Sequence, residues 1–305
     1  MPDDEEVELG DGPMRSPIIW YGAKAKLADW IVGHFPPHKL YCEVFGGSAA
    51  VLFTKAPADA EVLNDIDDGL VTFYRVLRDP ALFPHLFLRA TLTPYARSEW
   101  RWARDTWATT EDLVERAARW FYVSRASWAG KFGQSWSHHA AAAHVPTQPD
   151  KWAKAVDLLP AFHQRLRHVQ VECLDWQDCL RQYDGPDTLF YLDPPYVLGT
   201  RVAGPQYQHE FTDADHAALV ETLGGLQGMA ILSGYDHPLY APLDAAGWQR
   251  VERTTLAWSA NARVTPERST RREVLWLNPA VMRRQRQLSL WDVGKEAADA
   301  AASPD

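Results

Sequence analysis

Asp193-Pro194-Pro195-Tyr196 is the segment of this sequence best suited to carry chemistry. It directly follows Thr188-Leu189-Phe190-Tyr191-Leu192, a short apolar run that reads as a buried strand. Two prolines cannot continue a central strand, so they form a stiff extended turn beyond the sheet's carboxyl edge, where open α/β sheets bind ligands. There the Asp193 carboxylate and the Pro194 carbonyl can accept the two hydrogens of a planar amino group, while the Tyr196 ring stacks on the base that carries it. An ordinary proline-containing turn is the plainer alternative. The position after a strand and the attached tyrosine weigh against it.

Three further segments could serve such a site. Glu43-Val44-Phe45-Gly46-Gly47-Ser48 places glycines after a first strand, where they let a dinucleotide or adenosyl ligand approach the backbone. The GxGxxG fingerprint of nicotinamide dehydrogenases is absent. Asp65, at the end of the next strand and followed by Ile66, is placed to bind ribose hydroxyls, although an acid at a strand end also serves as a helix cap. Upstream, Trp20-Tyr21-Gly22-Ala23-Lys24 puts an aromatic pair and a lysine before the first helix. It reads either as part of the same pocket, with Lys24 near a carboxylate, or as an aromatic segment with a solvated lysine.

The elements that must position these residues follow from the apolar pattern. Leu27, Trp30, Ile31 and Phe35 recur with helical period and stop at Pro36-Pro37. Strands are expected at 40–45, 60–63, 169–173, 188–192, 229–233 and 273–277, with a helix over 213–226. The first two strands and the helix between them make a β-α-β unit. Residues of roughly 80–155 differ in texture. They look helical, and seven of the fourteen tryptophans lie between Trp100 and Trp152, most of them expected to build a local core. Residues 135–149 read as a loop. The plan is an open sheet interrupted by a basic, aromatic insertion.

The chain has 305 residues, 46% hydrophobic and 23% charged, enough for a sizeable core. Its net charge of −9 argues superficially against a polyanionic partner. That charge sits in the ends: residues 1–14 carry −6 and residues 292–305 carry −3, so residues 15–291 are neutral. Within that body, residues 89–131 sum to +3 and residues 250–286 to +6. Acidity overall therefore does not exclude a nucleic-acid function. The three cysteines, Cys42, Cys173 and Cys179, have no zinc or disulfide spacing. No apolar run approaches a membrane span, and the acidic N-terminus is unlike a signal peptide. A soluble cytoplasmic protein is the expectation, with no membrane or metal partner; no oligomeric state follows.

Together these motifs, in this order over roughly Pro17 to Pro279, resemble the Dam-type DNA adenine methyltransferases. Trp20-Tyr21-Gly22-Ala23-Lys24 is similar to the family's Trp-x-Gly-Gly-Lys opening, with Ala23 for a glycine. Glu43-Val44-Phe45-Gly46-Gly47 resembles its Glu-Pro-Phe-x-Gly cofactor loop, with Val44 for proline and Ala49 where another glycine is common. Leu63-Asn64-Asp65-Ile66-Asp67 resembles its ribose motif, and Phe190 to Tyr196 agrees fully with its catalytic motif. The resemblance implies a Rossmann-like α/β methyltransferase sheet at 15–80 and 156–280, with a mainly helical target-recognition insertion at 81–155 between tails at 1–14 and 281–305. It implies methyl transfer from S-adenosylmethionine to N6 of a flipped adenine in double-stranded DNA. Asp193, Pro194, Pro195 and Tyr196 would be catalytic. Trp20, Tyr21, Lys24, Glu43, Phe45, Gly46, Gly47, Asp65, Ile66 and Asp193 would hold the cofactor. Arg125 and Lys131, in segments resembling the family's DNA interface, and Arg263 and Arg271 would meet DNA. The same chemistry could serve the amino group of cytosine, RNA or protein methylation stays open, and a DNA-binding protein with a decayed cofactor pocket is a further reading. Carbon-5 cytosine methylation needs a nucleophilic cysteine in a Pro-Cys pair, which is absent. Restriction, phage-protective and housekeeping roles read alike.

Overall fold

The computed structural model describes residues 16–138, 147–200, 209–256 and 270–287. The acidic ends, most of the 135–149 loop and Arg263 lie outside them. Seven strands form one sheet: β1 (Leu40–Glu43), β2 (Ala60–Asn64), β3 (Val169–Glu172), β4 (Thr188–Leu192), β5 (Met229–Tyr235), β6 (Gln249–Leu256) and β7 (Thr270–Leu277), in the order β3-β2-β1-β4-β5-β7-β6. The chain divides into two compact units, residues 1–33, 46–57 and 63–174, and residues 34–45, 58–62 and 175–305.

In the second unit β4 is central, parallel to β1 and β5, with Glu43 opposite Tyr191 and Leu192 opposite Leu232. Every residue of β4 is buried, which explains its uninterrupted apolar run. β7 pairs antiparallel with both β5 and β6. The Cys42 and Cys179 thiols lie 3.6 Å apart in this core.

In chain order the helices include α1 (Ala28–Val32), α2 (Ala50–Thr54), α3 (Asp68–Arg78), α4 (Phe83–Thr91), α5 (Arg97–Thr106), α6 (Leu113–Ala126), α7 (Gln148–Asp157), α8 (Leu159–Leu166), α9 (Trp176–Tyr183), α10 (Asp213–Leu223) and α11 (Ala241–Ala245), and residues 279–287 are helical as well. Capping residues set several starts: the Asp67 carboxylate accepts from Leu70 N–H, and Thr147/Asp150 and Thr212/Asp215 form capping boxes on α7 and α10. All six strands expected from the apolar pattern form. β6 was not expected, because its Gln249-Arg250-Val251-Glu252-Arg253 run looks too polar until β7 is beside it.

The first unit has an aromatic core. Trp120 of α6 is fully buried, 5.7 Å from the Phe73 ring and 5.3 Å from Phe132. Trp100 and Trp152 are also buried, whereas Trp102 and Trp128 are exposed. The Trp120 indole lies directly against Gly69, where a Cβ would sit 2.5 Å from it and 2.7 Å from Trp107. Both rings are held by neighbours, so Gly69→Ala should destabilise by about 1–3 kcal/mol through overpacking, more than alanine returns in helix propensity. A lowered midpoint in thermal or urea unfolding checks this; an unchanged midpoint would show that the indoles can yield.

Among the described residues no helix is long and apolar enough to cross a membrane, and no cluster of three His, Cys, Asp or Glu could hold a metal.

Candidate active site

Within the first unit, the glycine loop is built from both sides. Gly46 N–H donates to the Asn64 carbonyl at 2.7 Å, and Gly47 N–H to Asp65 Oδ2 at 2.8 Å. The other Asp65 oxygen accepts from Asp67 N–H at 2.9 Å, and the Tyr74 hydroxyl donates to the Gly47 carbonyl at 3.0 Å. Asp65 is therefore a brace for the loop, a role its spacing alone did not reveal. Gly47 has φ +45°, and a Cβ there would lie 2.9 Å from Trp20 Nε1. Trp20 thus packs directly on the loop, backed by the Trp120 ring at 6.1 Å. Lys24 is buried and donates to the Gly22 carbonyl at 3.0 Å; Tyr21 is half-buried nearby in sequence. Ile66, next to the brace, is 45% exposed.

Within the second unit, Glu43 and Phe45 leave the end of β1 and Asp193 leaves the end of β4, parallel strands side by side. Glu43 is buried and accepts from the Tyr41 hydroxyl at 2.8 Å. Phe45 packs edge-on against Phe211 at 5.6 Å. Asp193 is half-buried and Pro194 buried. The Tyr196 hydroxyl lies 2.9 Å from both Glu273 Oε2 and Ser233 Oγ, and its ring is 4.6 Å from that of Tyr235. Burial, then the charges of Asp193 and Glu273, push the Tyr196 phenol well above its usual pKa, so it stays protonated. Leu232-Ser233 loosely matches the family pattern, but neither Ser233 as a partner of Tyr196 nor Glu273 was legible in the sequence. The register that sets Glu273 opposite Tyr235 brings them there.

The expected DNA contacts fare differently. Lys131 is half-buried, just after a short turn whose Trp128 is 49% exposed and whose Ala129 adopts φ +55°. Arg125 donates to the Lys151 carbonyl at 3.4 Å, and burial pushes its pKa down to about 10. Arg271 donates to the Tyr235 hydroxyl at 3.2 Å. Much of the basic character of residues 89–131 is spent internally: Arg89 and Arg119 pair with Glu115, Arg104 with Asp105 and Arg116 with Asp68. Arg97 and Arg101 of α5 are exposed.

A mixed seven-stranded sheet whose adjacent parallel strands run into a glycine loop and an Asp-Pro-Pro-Tyr turn defines an S-adenosylmethionine-dependent methyltransferase fold. The family model for the D12 class N6 adenine-specific DNA methyltransferase matches residues 20–240, and the chain belongs to that family. Its reaction is N6-adenine methylation of DNA, with S-adenosylmethionine as the methyl donor. Among curated proteins none matches the chain. Family membership selects adenine over the cytosine, RNA and protein alternatives.

Proposed function

We propose that the Asp193-Pro194-Pro195-Tyr196 turn receives an adenine flipped out of duplex DNA and presents its N6 amino group for direct, in-line methyl transfer. The observation that carries this reading is the turn's place at the carboxyl end of the central strand β4, with Tyr196 tied down by Ser233 and Glu273. Stacked bases conceal the amino group's lone pair, so the base must leave the helix. An Asp193 oxygen and the Pro194 carbonyl accept its two N–H groups, which draws the lone pair out of conjugation with the ring. Tyr196 stacks on the base, and Asp193 takes the proton released once N6 carries its new substituent. Positioning supplies much of the rate.

The glycine loop fits the cofactor. A Cβ at Gly46 would meet Leu63 Cδ1 at 2.8 Å and the Asn64 carbonyl at 2.9 Å, so the loop lies as close to β2 as a glycine backbone allows. Asp65 offers acceptors for hydroxyls and Ile66 an uncovered apolar surface for an adenine ring. S-adenosylmethionine, when bound, supplies a sulfonium-activated methyl group. Trp20, Tyr21, Lys24, Glu43, Phe45, Gly46, Gly47, Asp65, Ile66 and Asp193 hold it. The helical segment 81–155 recognises the target. Lys131, Arg271 and Arg263 contact phosphates, joined by Arg97 and Arg101; Arg125 contacts DNA with the N–H groups it does not give to the Lys151 carbonyl.

Expression in a methylation-free host, followed by long-read mapping of modified bases, tests this directly. N6-methyladenine at one short sequence is expected, and an unmodified genome refutes it. For the loop, Asp65→Asn should weaken S-adenosylmethionine binding nearly as much as Asp65→Ala, about tenfold or more, because an amide keeps one acceptor where two backbone N–H groups need one each. Calorimetric affinities check this, and full retention by the asparagine variant contradicts the brace.

A further inference from the structure

We propose that Glu273, on β7, is a positioning residue for methyl transfer: it fixes the Tyr196 ring against which the target base stacks. This rests on the reading that Tyr196 stacks on that base. Tyr196 follows two prolines, so its backbone is stiff, but its side chain can still turn about two torsions. Three contacts remove that freedom. The Tyr196 hydroxyl donates to Glu273 Oε2 at 2.9 Å, which leaves the Ser233 hydroxyl, also 2.9 Å away, to donate to the Tyr196 oxygen. Tyr235 meets the ring edge-on at an interplanar angle of 75°. Tyr235 is itself held by Arg271, whose guanidinium donates to the Tyr235 hydroxyl and lies 5.9 Å from its ring centroid.

The chemistry of the pair supports the role. Glu273 is only 8% exposed, and a carboxylate is an expensive anchor for a phenol when a neutral acceptor would satisfy the hydrogen bond. A charged acceptor makes the stronger and shorter bond. The charges of Asp193 and Glu273 also oppose ionisation of Tyr196, so the anchor persists through the working pH range. Glu273 stands opposite Tyr235, and Leu275 opposite Ser233, so the β5–β7 register delivers all three anchoring groups to one face. Glu273 acts through Tyr196, whose hydroxyl it holds.

The test is a set of steady-state measurements of methyl transfer to plasmid DNA by the full chain. Glu273→Ala and Tyr196→Phe should each lower kcat about tenfold to a hundredfold with KM for S-adenosylmethionine unchanged, the loss expected for a hydrogen bond to a charged group. The double variant should fall no further than either single one. Glu273→Gln, whose amide oxygen still accepts, should recover most of kcat. Tyr196→Ala separates this inference from the reading beneath it: if that variant methylates normally, the stacking role itself is wrong. If Tyr196→Ala is inactive while Tyr196→Phe retains wild-type kcat, the stacking role stands and the anchor is refuted. Additive losses in the double variant refute it as well. Should Glu273→Ala show no cooperative melt, Tyr196→Phe decides alone, since it deletes the same hydrogen bond from the other side.

Discussion

Replacing Asp193 with alanine yields a folded protein that no longer methylates DNA, with kcat reduced on the order of a thousandfold or more, the scale seen when a preorganised polar group is removed from a reacting atom. The turn after β4 places Asp193 outside the strand's packed residues, half-buried and with no apolar surface to lose. Its charge acts on the rings around it. Burial and then the charges of Asp193, Glu43 and Glu273 all push the Tyr191 phenol upward, and Asp193 acts likewise on Tyr196 and Tyr240. Several desolvated carboxylates near one ring repel one another, so deleting one should leave thermal stability unchanged or raise it. The expected signature is opposite movement of two readouts: transfer of radiolabelled methyl groups to DNA vanishes while the melting temperature holds or rises. Near-normal methylation by the variant refutes the catalytic role. A collapse in melting temperature shows instead that the carboxylate is a structural element.

The parts of this protein that were legible in the sequence are those whose cause is local. Pro194 and Pro195 end a strand by their own covalent geometry, and the buried run before them has no other reading. The departures from the family pattern also have local explanations that only the backbone supplies. Val44 stands where proline is usual, and its N–H donates to the Tyr191 carbonyl at 3.1 Å, a bond proline could not make. In the opening motif the left-handed position is Gly22, with φ +78°, so Ala23 is free of the demand for glycine. Ala49 is not: it carries φ +53° at the start of α2, a conformation that costs an alanine about 1–2 kcal/mol. What stayed hidden was long-range. Glu273 sits in an arginine-rich run where it reads as charge balance, and it meets Tyr196, 77 residues away, only through sheet register. The same holds for the basic insertion, where Arg89, Arg104 and Arg116 are engaged by Glu115, Asp105 and Asp68 once the helices pack, so its sequence does not say which of its cations face outward.

Gly46→Ala is the second substitution with a large expected effect, and it acts on the cofactor rather than on the reacting base. The position has a negative φ, so alanine meets no torsional objection there; the obstacle is space. A Cβ would press on the Asn64 carbonyl at 2.9 Å and on the buried Leu63 side chain at 2.8 Å, both well inside contact distance. The Leu63 side chain can turn aside, but the Asn64 carbonyl is backbone of β2 and cannot. The Asn64 side-chain amide makes two hydrogen bonds with the Leu174 backbone, at 2.9 and 3.1 Å, which hold that residue in place, and Gly46 N–H ties the loop to the Asn64 carbonyl. The loop must therefore lift, carrying Gly47 away from Asp65 and Tyr74. S-adenosylmethionine affinity should fall about tenfold to a hundredfold, and stability by about 1–3 kcal/mol, the usual cost of forcing atoms into a packed site. Because the damage lies in holding the cofactor, KM for S-adenosylmethionine should rise more than kcat falls. Gly225→Ala is the control, since its Cβ would meet the nearest atom, the Thr222 carbonyl, at an ordinary 3.6 Å. Wild-type affinity in Gly46→Ala would mean that the loop does not hold the cofactor. A fall in kcat with unchanged KM would mean that it serves the chemical step instead.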